Sequence, residues 1–223
     1  SSAASDVYKR QVRKLATDNN IVLIFDECTS GFRETFGGLH QKYKVEPDIA
    51  MFGKALGNGY AITATVGRKE VMEAAQKSFI SSTFWTERIG PSAAIRTLEV
   101  MEREQSWEKI SAIGESIKLK WSELASIYNI DITTSGLKAL PSFSFHSKNN
   151  LAYKTLVTQE MLKRGYLASN LIYVSIVHTP EVIEKYFDVL DSIFKKIKEC
   201  EEGLNILDML EGPICHSGFS RLN

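Results

Sequence analysis

The run Ile21 to Glu27, with the sequence IVLIFDE, constrains the fold of this chain more than any other stretch. Five apolar residues, three of them β-branched, precede two acids, and such a run is typical of a strand buried on both faces of a parallel sheet. Ligands of open α/β sheets bind at the carboxyl ends of the strands. We therefore expect an α/β fold in which this strand delivers Asp26 and Glu27 to a ligand-binding edge.

A second apolar stretch, Ile49 to Phe52, ends at Gly53 and is followed by Lys54 and the turn-rich Gly57 to Gly59. A lysine at the end of a buried strand is costly to desolvate, so it is rarely buried unless it is paired or used chemically. Burial also favours the neutral, nucleophilic amine. Taken alone, this segment favours a lysine whose stem packs at a turn while its ammonium stays in water.

The two stretches together favour chemistry at Lys54. If both strands belong to one sheet, Asp26 and Lys54 end them at the same edge and face one crevice. Pyridoxal phosphate needs this pair, because a lysine forms the imine and an acid keeps the pyridine nitrogen protonated, so that the ring acts as an electron sink. The sequence therefore predicts a pyridoxal-phosphate site that contains Asp26 and Lys54.

Two motifs carry a resemblance to a known family: FDECTSGFR, from Phe25 to Arg33, and PDIAMFGKALGNGY, from Pro47 to Tyr60. In this order they resemble the class III pyridoxal-phosphate-dependent aminotransferases of fold type I, with proteins similar to glutamate-1-semialdehyde 2,1-aminomutase as the nearest group. The resemblance implies that Lys54 is the Schiff-base lysine and that Asp26 pairs with the pyridine nitrogen. It also places Cys28 where the family usually packs an apolar residue on the cofactor ring.

The stretch Ser81 to Pro91 combines hydroxyls with aromatic residues ahead of a helix predicted to begin at about Ser92. Hydroxyls at such a place bind phosphate together with the free N–H groups of the helix, or they only support the turn. The resemblance implies that Thr86 binds cofactor phosphate across a dimer interface. Exposed aromatics such as Phe84 and Trp85 also mark interfaces or pockets. We therefore expect Thr86 in the cofactor site and a homodimer as the working unit.

The predicted elements divide into two domains with flanking segments. Residues 1–11 are small and polar, and we expect a non-native or disordered extension there. Residues 12–104 are predicted to be a partial cofactor-binding domain, the C-terminal part of a large domain with a mostly parallel sheet and helices. Residues 105–202 are predicted to be a small α+β domain, and 203–223 a tail of unassigned role. The elements predicted for the small domain are Trp107 to Ile127, Leu151 to Arg164 and Pro180 to Cys200 as helices, and Ile130 to Thr134, Ser142 to His146 and Tyr173 to His178 as strands.

Composition excludes several classes of function. Lys and Arg together number 27, as do Asp and Glu, so that a net charge of zero gives no basis for a nucleic-acid or membrane partner. The three cysteines are unpatterned, which indicates free thiols in a reducing compartment. Without an apolar run long enough for a membrane span or a signal peptide, we expect a cytoplasmic protein.

The remaining ionisable residues give weaker indications. Arg33 is either an ion-pair partner of Glu27 or an anion ligand, and His178 either faces a substrate from a strand end or is a structural histidine. The other histidines lack the spacing of metal ligands and the sequence contains no CxxC motif, so we predict no metal site.

Two rival interpretations concern the activity itself. The run IVLIFDE is also typical of a Walker B strand. A P-loop ATPase, however, needs the motif GxxxxGK[ST], and the residue directly after Lys54 is neither serine nor threonine, which argues against an ATPase. Relative to the family, the chain also lacks roughly the first half, so that it is alternatively a catalytically incomplete fragment. For the full-length protein we predict transfer of an amino group between small-molecule donor and acceptor, or within one molecule in the manner of a glutamate-1-semialdehyde aminomutase.

Overall fold

The computed structural model describes residues 6–81, 83–84 and 86–218. The chain divides into two units, Ser1–Ser111 and Ala112–Asn223, and a long helix begins in the first unit and ends in the second. The helices are α1 Asp6–Asp18, α2 His40–Tyr43, α3 Lys69–Met72, α4 Ile89–Glu104, α5 Ser106–Ile127, α6 Asn150–Lys163 and α7 Pro180–Glu201. The strands are β1 Ile24–Asp26, β2 Ile49–Phe52, β3 Ala64–Gly67, β4 Ile132–Leu137 and β5 Leu140–Phe145, and short 3₁₀ turns cover Lys54–Leu56, Glu73–Lys77 and Ile206–Met209.

The first unit contains a three-stranded sheet in the order β1-β2-β3. Strands β1 and β2 are parallel, with Asp26 opposite Met51, whereas β3 runs antiparallel to β2 and pairs Ala64 with Phe52. The predicted α/β class is confirmed, but within the described residues this sheet is mixed rather than mostly parallel.

Strand β1 differs from its prediction in both length and burial. We predicted a strand buried on both faces from Ile21 to Glu27, but the strand covers only Ile24–Asp26, and Ile24 is 51% exposed. Ile21 and Val22 are also exposed. Leu23 and Phe25 are half-buried whereas Val22 and Ile24 are exposed, so among the described residues the apolar run is covered on one face only.

The beginning of the chain is helical where we expected an extension. Helix α1 begins at Asp6, so that residues 6–11 are part of the fold, and residues 1–5 lie outside the described residues. The guanidinium of Arg13 donates to Asp48 at 2.8 Å, and the buried carboxylate of Asp48 also accepts from the backbone N–H of Leu23 at 2.8 Å and pairs with Arg68 at 3.2 Å. One aspartate therefore ties α1 to the start of β2 and to the residues that flank β1 and β3.

The second unit is built around the antiparallel hairpin of β4 and β5, on which α6 packs. The ring of Phe143 lies 4.8 Å from that of Trp121, and the buried Trp121 indole donates to the hydroxyl of Tyr186 at 3.1 Å. A buried indole N–H normally needs such a partner. The fully buried residues include Trp121, Phe143, Tyr153, Leu156, Leu190 and Phe194.

The strand predicted from Tyr173 to His178 is wrong. Residues 170–174 run beside β5 and the residue before it. The N–H of Phe143 donates to the carbonyl of Asn170, and the N–H of Val174 donates to the carbonyl of Ala139. These bonds form only an isolated bridge rather than a ladder, and residues 175–178 then turn, with the N–H of His178 donating to Ser175.

The tail is attached to α6 in the second unit. The amide of Gln159 donates to the carbonyl of Met209 at 2.9 Å and accepts from the N–H of Glu211 at 2.8 Å, and the N–H of Cys215 donates to Thr155. Polar side chains of α6 thus bind backbone groups of the tail, a relation between distant residues that the sequence pattern does not contain. In the described ranges, no helix combines the length and the apolarity that a membrane crossing needs.

Candidate active site

The parallel pairing of β1 and β2 brings the two predicted residues to one edge of the sheet. Asp26 is the last residue of β1, and Lys54 follows the end of β2 by two positions. Because the strands run in the same direction with Asp26 opposite Met51, both side chains belong to the carboxyl edge. The sequence prediction of adjacent strand ends is therefore confirmed in its geometry.

Lys54 has an unusual backbone and a defined side-chain position. Its φ is +40°, in the left-handed region that a residue with a Cβ rarely adopts. The ammonium donates to the hydroxyl of Thr29 at 2.8 Å and lies 3.7 Å from the thiol sulfur of Cys28. The side chain is exposed, so that the burial we invoked for its reactivity is not found within the described part of this chain.

Asp26 is held from the same loop. One oxygen of its carboxylate accepts a hydrogen bond from the backbone N–H of Cys28 at 3.0 Å. The carboxylate is exposed and remains close to the strand end from which it emerges. This hydrogen bond favours one position of the carboxylate, and an exposed carboxylate there is able to pair with a protonated ring nitrogen.

Gly53 explains how closely Cys28 approaches the lysine. A Cβ placed on Gly53 would lie 2.8 Å from the sulfur of Cys28, which is shorter than real Cβ contacts. The thiol therefore packs against the backbone immediately before Lys54, and only glycine leaves room for it. Cys28 is half-buried, and its predicted contact with a cofactor ring stays a prediction.

Glu27 has a role that the sequence prediction missed. Its buried carboxylate accepts hydrogen bonds from the hydroxyl of Ser30, the N–H of Leu39, and the N–H and Nδ1 of His40. Residues in a strand alternate between faces, so Asp26 and Glu27 point to opposite sides of the sheet. Asp26 therefore stays at the candidate site, while Glu27 holds the loop between β1 and α2 in place.

Thr86 lies apart from this cluster in the described contacts. It is exposed in the turn before α4, and no contact among the described residues joins it to Asp26 or Lys54. The N–H groups of Ile89 and Gly90, at the start of α4, donate to the carboxylate of Glu87. The phosphate role of Thr86 stays a prediction, and Ser82 and Trp85 of the same stretch lie outside the described residues.

His178 lies between the turn at residues 176–177 and α7 rather than at the end of a strand. Its Nδ1 accepts from the N–H of Ser175 at 3.3 Å, and burial lowers the pKa of the imidazole. Among the described residues, no group of three or more His, Cys, Asp or Glu side chains is arranged to hold a metal ion.

The donor set at the sheet edge fits an aldehyde cofactor that carries a basic ring nitrogen. The amine of Lys54 is held by a neutral hydroxyl rather than by a carboxylate, so it is not engaged in an ion pair with Asp26 in the described contacts. Asp26 remains exposed and able to pair with a cation. One nucleophilic amine and one carboxylate on neighbouring strands are the groups that pyridoxal phosphate uses.

Comparison with known proteins points in the same direction. The sequence matches the profile of the class-III aminotransferases over residues 1–194. It is 37% identical over 153 residues to the 3-aminobutyryl-CoA aminotransferase of Cloacimonas acidaminovorans. This alignment covers 68% of this chain and 37% of that protein. It is 29% identical over 212 residues to the glutamate-1-semialdehyde 2,1-aminomutase of Methanococcus maripaludis strain C6, covering 86% of this chain and 49% of the relative. The chain thus spans at most about half the length of these curated relatives.

Solved structures share the fold. The pyridoxal-phosphate internal aldimine form of FumI from Sphingopyxis sp. MTA144 aligns with a TM-score of 0.84 at 21% identity, over 93% of this chain and 51% of that one. An omega-transaminase from Sphaerobacter thermophilus aligns with a TM-score of 0.79 at 19% identity, over 86% and 48% of the two chains. At sequence identities this low, the structural similarity establishes the fold alone.

Proposed function

Because this chain belongs to the class-III aminotransferases, a pyridoxal-phosphate-dependent family, we propose that the full-length protein transfers amino groups by means of the amine of Lys54. The resemblance that the two sequence motifs predicted is confirmed by the family match. The observation that carries the proposal is the placement of Lys54 and Asp26 at the carboxyl ends of neighbouring parallel strands.

Each residue of the pair has a separate task. When bound, pyridoxal phosphate supplies an aldehyde and an electron-accepting ring. The amine of Lys54 would hold the cofactor and, when free of it, would move a proton as a general acid and base. The carboxylate of Asp26, which accepts from the N–H of Cys28, would pair with the ring nitrogen and keep it protonated.

Two reaction types remain within this proposal. Relatives of this chain include an aminotransferase of 3-aminobutyryl-CoA and aminomutases of glutamate-1-semialdehyde. In both types a small-molecule amine is the donor, and they differ in whether the amino group passes to a second molecule or returns to the same carbon skeleton. An isotope label on the donor nitrogen distinguishes them, because only a transferase delivers the label to an added acceptor.

The attachment itself is tested by reduction. Incubation with pyridoxal phosphate, treatment with borohydride and peptide mapping should place the label on Lys54, and Lys54→Ala should remove it. Lys77→Ala is the matched control, since Lys77 is also exposed and lies in the same unit. Label on another lysine in the wild-type protein would contradict the assignment of Lys54.

A further inference from the structure

The amine of Lys54 is held by a residue that the proposed chemistry does not include. Its Nζ donates to the Oγ1 of Thr29 at 2.8 Å, which is the distance of a good hydrogen bond. The contact to the sulfur of Cys28 is longer, at 3.7 Å, and sulfur is a weak acceptor. The hydroxyl of Thr29 is therefore the main polar partner among the described contacts of this amine.

Thr29 presents this hydroxyl from an anchored position. The residue before it, Cys28, donates its N–H to the carboxylate of Asp26, and the residue after it, Ser30, donates its hydroxyl to the buried Glu27. The N–H of Gly31 also donates to the carbonyl of Glu27 at 2.8 Å. These bonds hold the backbone on both sides of Thr29, so its hydroxyl is presented from an anchored turn rather than from a free loop.

The backbone of Lys54 is arranged toward the same acceptor. The left-handed φ of +40° costs free energy unless other contacts compensate for it. Gly53, which lacks a Cβ, lets the thiol of Cys28 approach the backbone just before the lysine. The conformation turns the side chain back toward the residues that follow β1, and the bond to Thr29 is the contact it makes there.

We propose that Thr29 is a positioning residue for Lys54. Its hydroxyl accepts a hydrogen bond from the amine whenever the amine is not bonded to cofactor, and so keeps it at the sheet edge where Asp26 lies. The catalytic consequence rests on the proposed function, whereas the contact itself does not. Without this acceptor, the long and exposed lysine side chain would sample many rotamers, and the amine would be near the reacting atoms for less of the time.

The nearby thiol of Cys28 allows a direct measurement of where the amine is held. The dialdehyde o-phthalaldehyde condenses with one amine and one thiol, loses both carbonyl oxygens as water and forms a fluorescent isoindole. Ring closure depends on how often the amine of Lys54 and the thiol of Cys28 are close together. Mass mapping identifies the bridged pair, and Cys28→Ala is the control that abolishes it.

Removing the hydroxyl of Thr29 should slow this bridge. We expect Thr29→Val to form the Cys28–Lys54 isoindole roughly three- to tenfold more slowly than the wild-type chain, which is the change expected for one hydrogen bond. Thr29→Ser keeps the acceptor and should restore the rate. Thr65→Val, the same change at an exposed position of β3, should leave the rate unaltered.

Several results would overturn the proposal. An unchanged rate in Thr29→Val would show that the hydroxyl does not hold the amine, and an equal loss in Thr29→Ser would show that only the local packing matters. Absence of the adduct in the wild-type chain would mean that the pair is not held together. Thr29→Ala, which also lacks the acceptor, replaces Thr29→Val if the latter melts at a lower temperature than the wild-type chain.

The cofactor-loaded protein separates this proposal from the function on which it rests. In the full-length enzyme, Thr29→Val should lower kcat with little change in KM, because positioning of Lys54 matters after the substrate has bound. If borohydride labels a lysine other than Lys54, the proposed function fails while the isoindole result stands. If Lys54 is labelled but Thr29→Val forms the isoindole at the wild-type rate, only the positioning role fails.

Discussion

Asp26 and Glu27 are adjacent acids with opposite environments, and this contrast gives the sharpest test at the scale of single residues. Asp26 is exposed at the sheet edge with one backbone donor, whereas Glu27 is buried among donors from Ser30, Leu39 and His40. The sequence presents both as acids at the end of one strand. Only their alternation between the faces of the strand indicates that one serves the site and the other the fold.

Asp26→Asn should lower turnover of the full-length enzyme much more than it weakens cofactor binding. The change removes the negative charge that keeps the ring nitrogen protonated, while the amide oxygen still accepts from the N–H of Cys28. Turnover is measured with a saturating amino donor, and binding by titration with pyridoxal phosphate. Equal losses in both quantities would mean that Asp26 is a structural residue.

Glu27→Gln should instead lower the free energy of unfolding by about 2 kcal/mol, because an amide N–H₂ would face donors that now meet a carboxylate oxygen. Urea denaturation of the isolated chain measures this change. Glu70→Gln, an exposed position in α3, is the matched control and should stay within about 0.5 kcal/mol of the wild-type value. A stability of Glu27→Gln equal to that of the control would contradict the anchoring role of Glu27.

At the scale of elements, Asp48 connects α1 with the strands of the first unit. The N–H of Leu23 and the guanidinium of Arg13 lower the pKa of its carboxyl below the ordinary value, although burial acts against them. A depressed pKa in the folded state means that the contribution to stability is complete above the unfolded value, about 3.9. That contribution is lost as the pH falls through the folded pKa.

We therefore expect Asp48→Asn to lower the free energy of unfolding at neutral pH by about 1 to 2 kcal/mol and to flatten its decline in acid. Urea denaturation at a series of pH values from neutral to below 4 measures both effects. Asp18→Asn is the control, because the contact that Asp18 makes among the described residues is an exposed pair with Lys14 on the surface of α1. An acid limb as steep in Asp48→Asn as in the wild-type chain would exclude Asp48 as its source.

The elements that the sequence predicts well are those whose signal is local. Strand β2 matches its prediction, and α5 and α7 lie within one residue of theirs, because their apolar periods and the proline at the start of α7 are contained in the segments themselves. Strand β1 and the segment after Asn170 depend on which neighbours cover them, and their predictions failed for that reason. Helix α1 was missed at its start because its anchor, the bond from Arg13 to Asp48, joins distant residues.

The same division holds for the candidate site. The residue types and their order predicted Asp26 and Lys54 at one edge, because parallel strands end together. The bond to Thr29, the left-handed backbone of Lys54 and the close approach of Cys28 to Gly53 are consequences of the folded loop and have no counterpart in the pattern. The assembly of the full-length protein depends on contacts between chains, which the pattern of one sequence does not describe.

At the scale of the whole molecule, exposed apolar side chains near the start of α4 motivate a prediction about assembly. Phe79 is 96% and Phe84 is 76% exposed, and Ile80 and Ile89, the first residue of α4, are exposed as well. Large exposed apolar side chains mark interfaces or pockets when they form one patch. The family resemblance adds that Thr86, in the same segment, would bind cofactor phosphate in the partner's site, so we expect a homodimer with shared sites.

Mixing of two inactive variants tests this expectation. A full-length Lys54→Ala protein and a full-length Thr86→Ala protein are each prepared, allowed to exchange subunits and assayed together. If sites are shared, one site of each heterodimer carries both changes and the other carries neither, so that activity should recover toward about half of the wild-type value per heterodimer. If Thr86 serves its own chain, every site keeps one change. Exchange demonstrated by differently tagged subunits, without recovery of activity and with Thr86→Ala alone clearly impaired, would contradict the shared site.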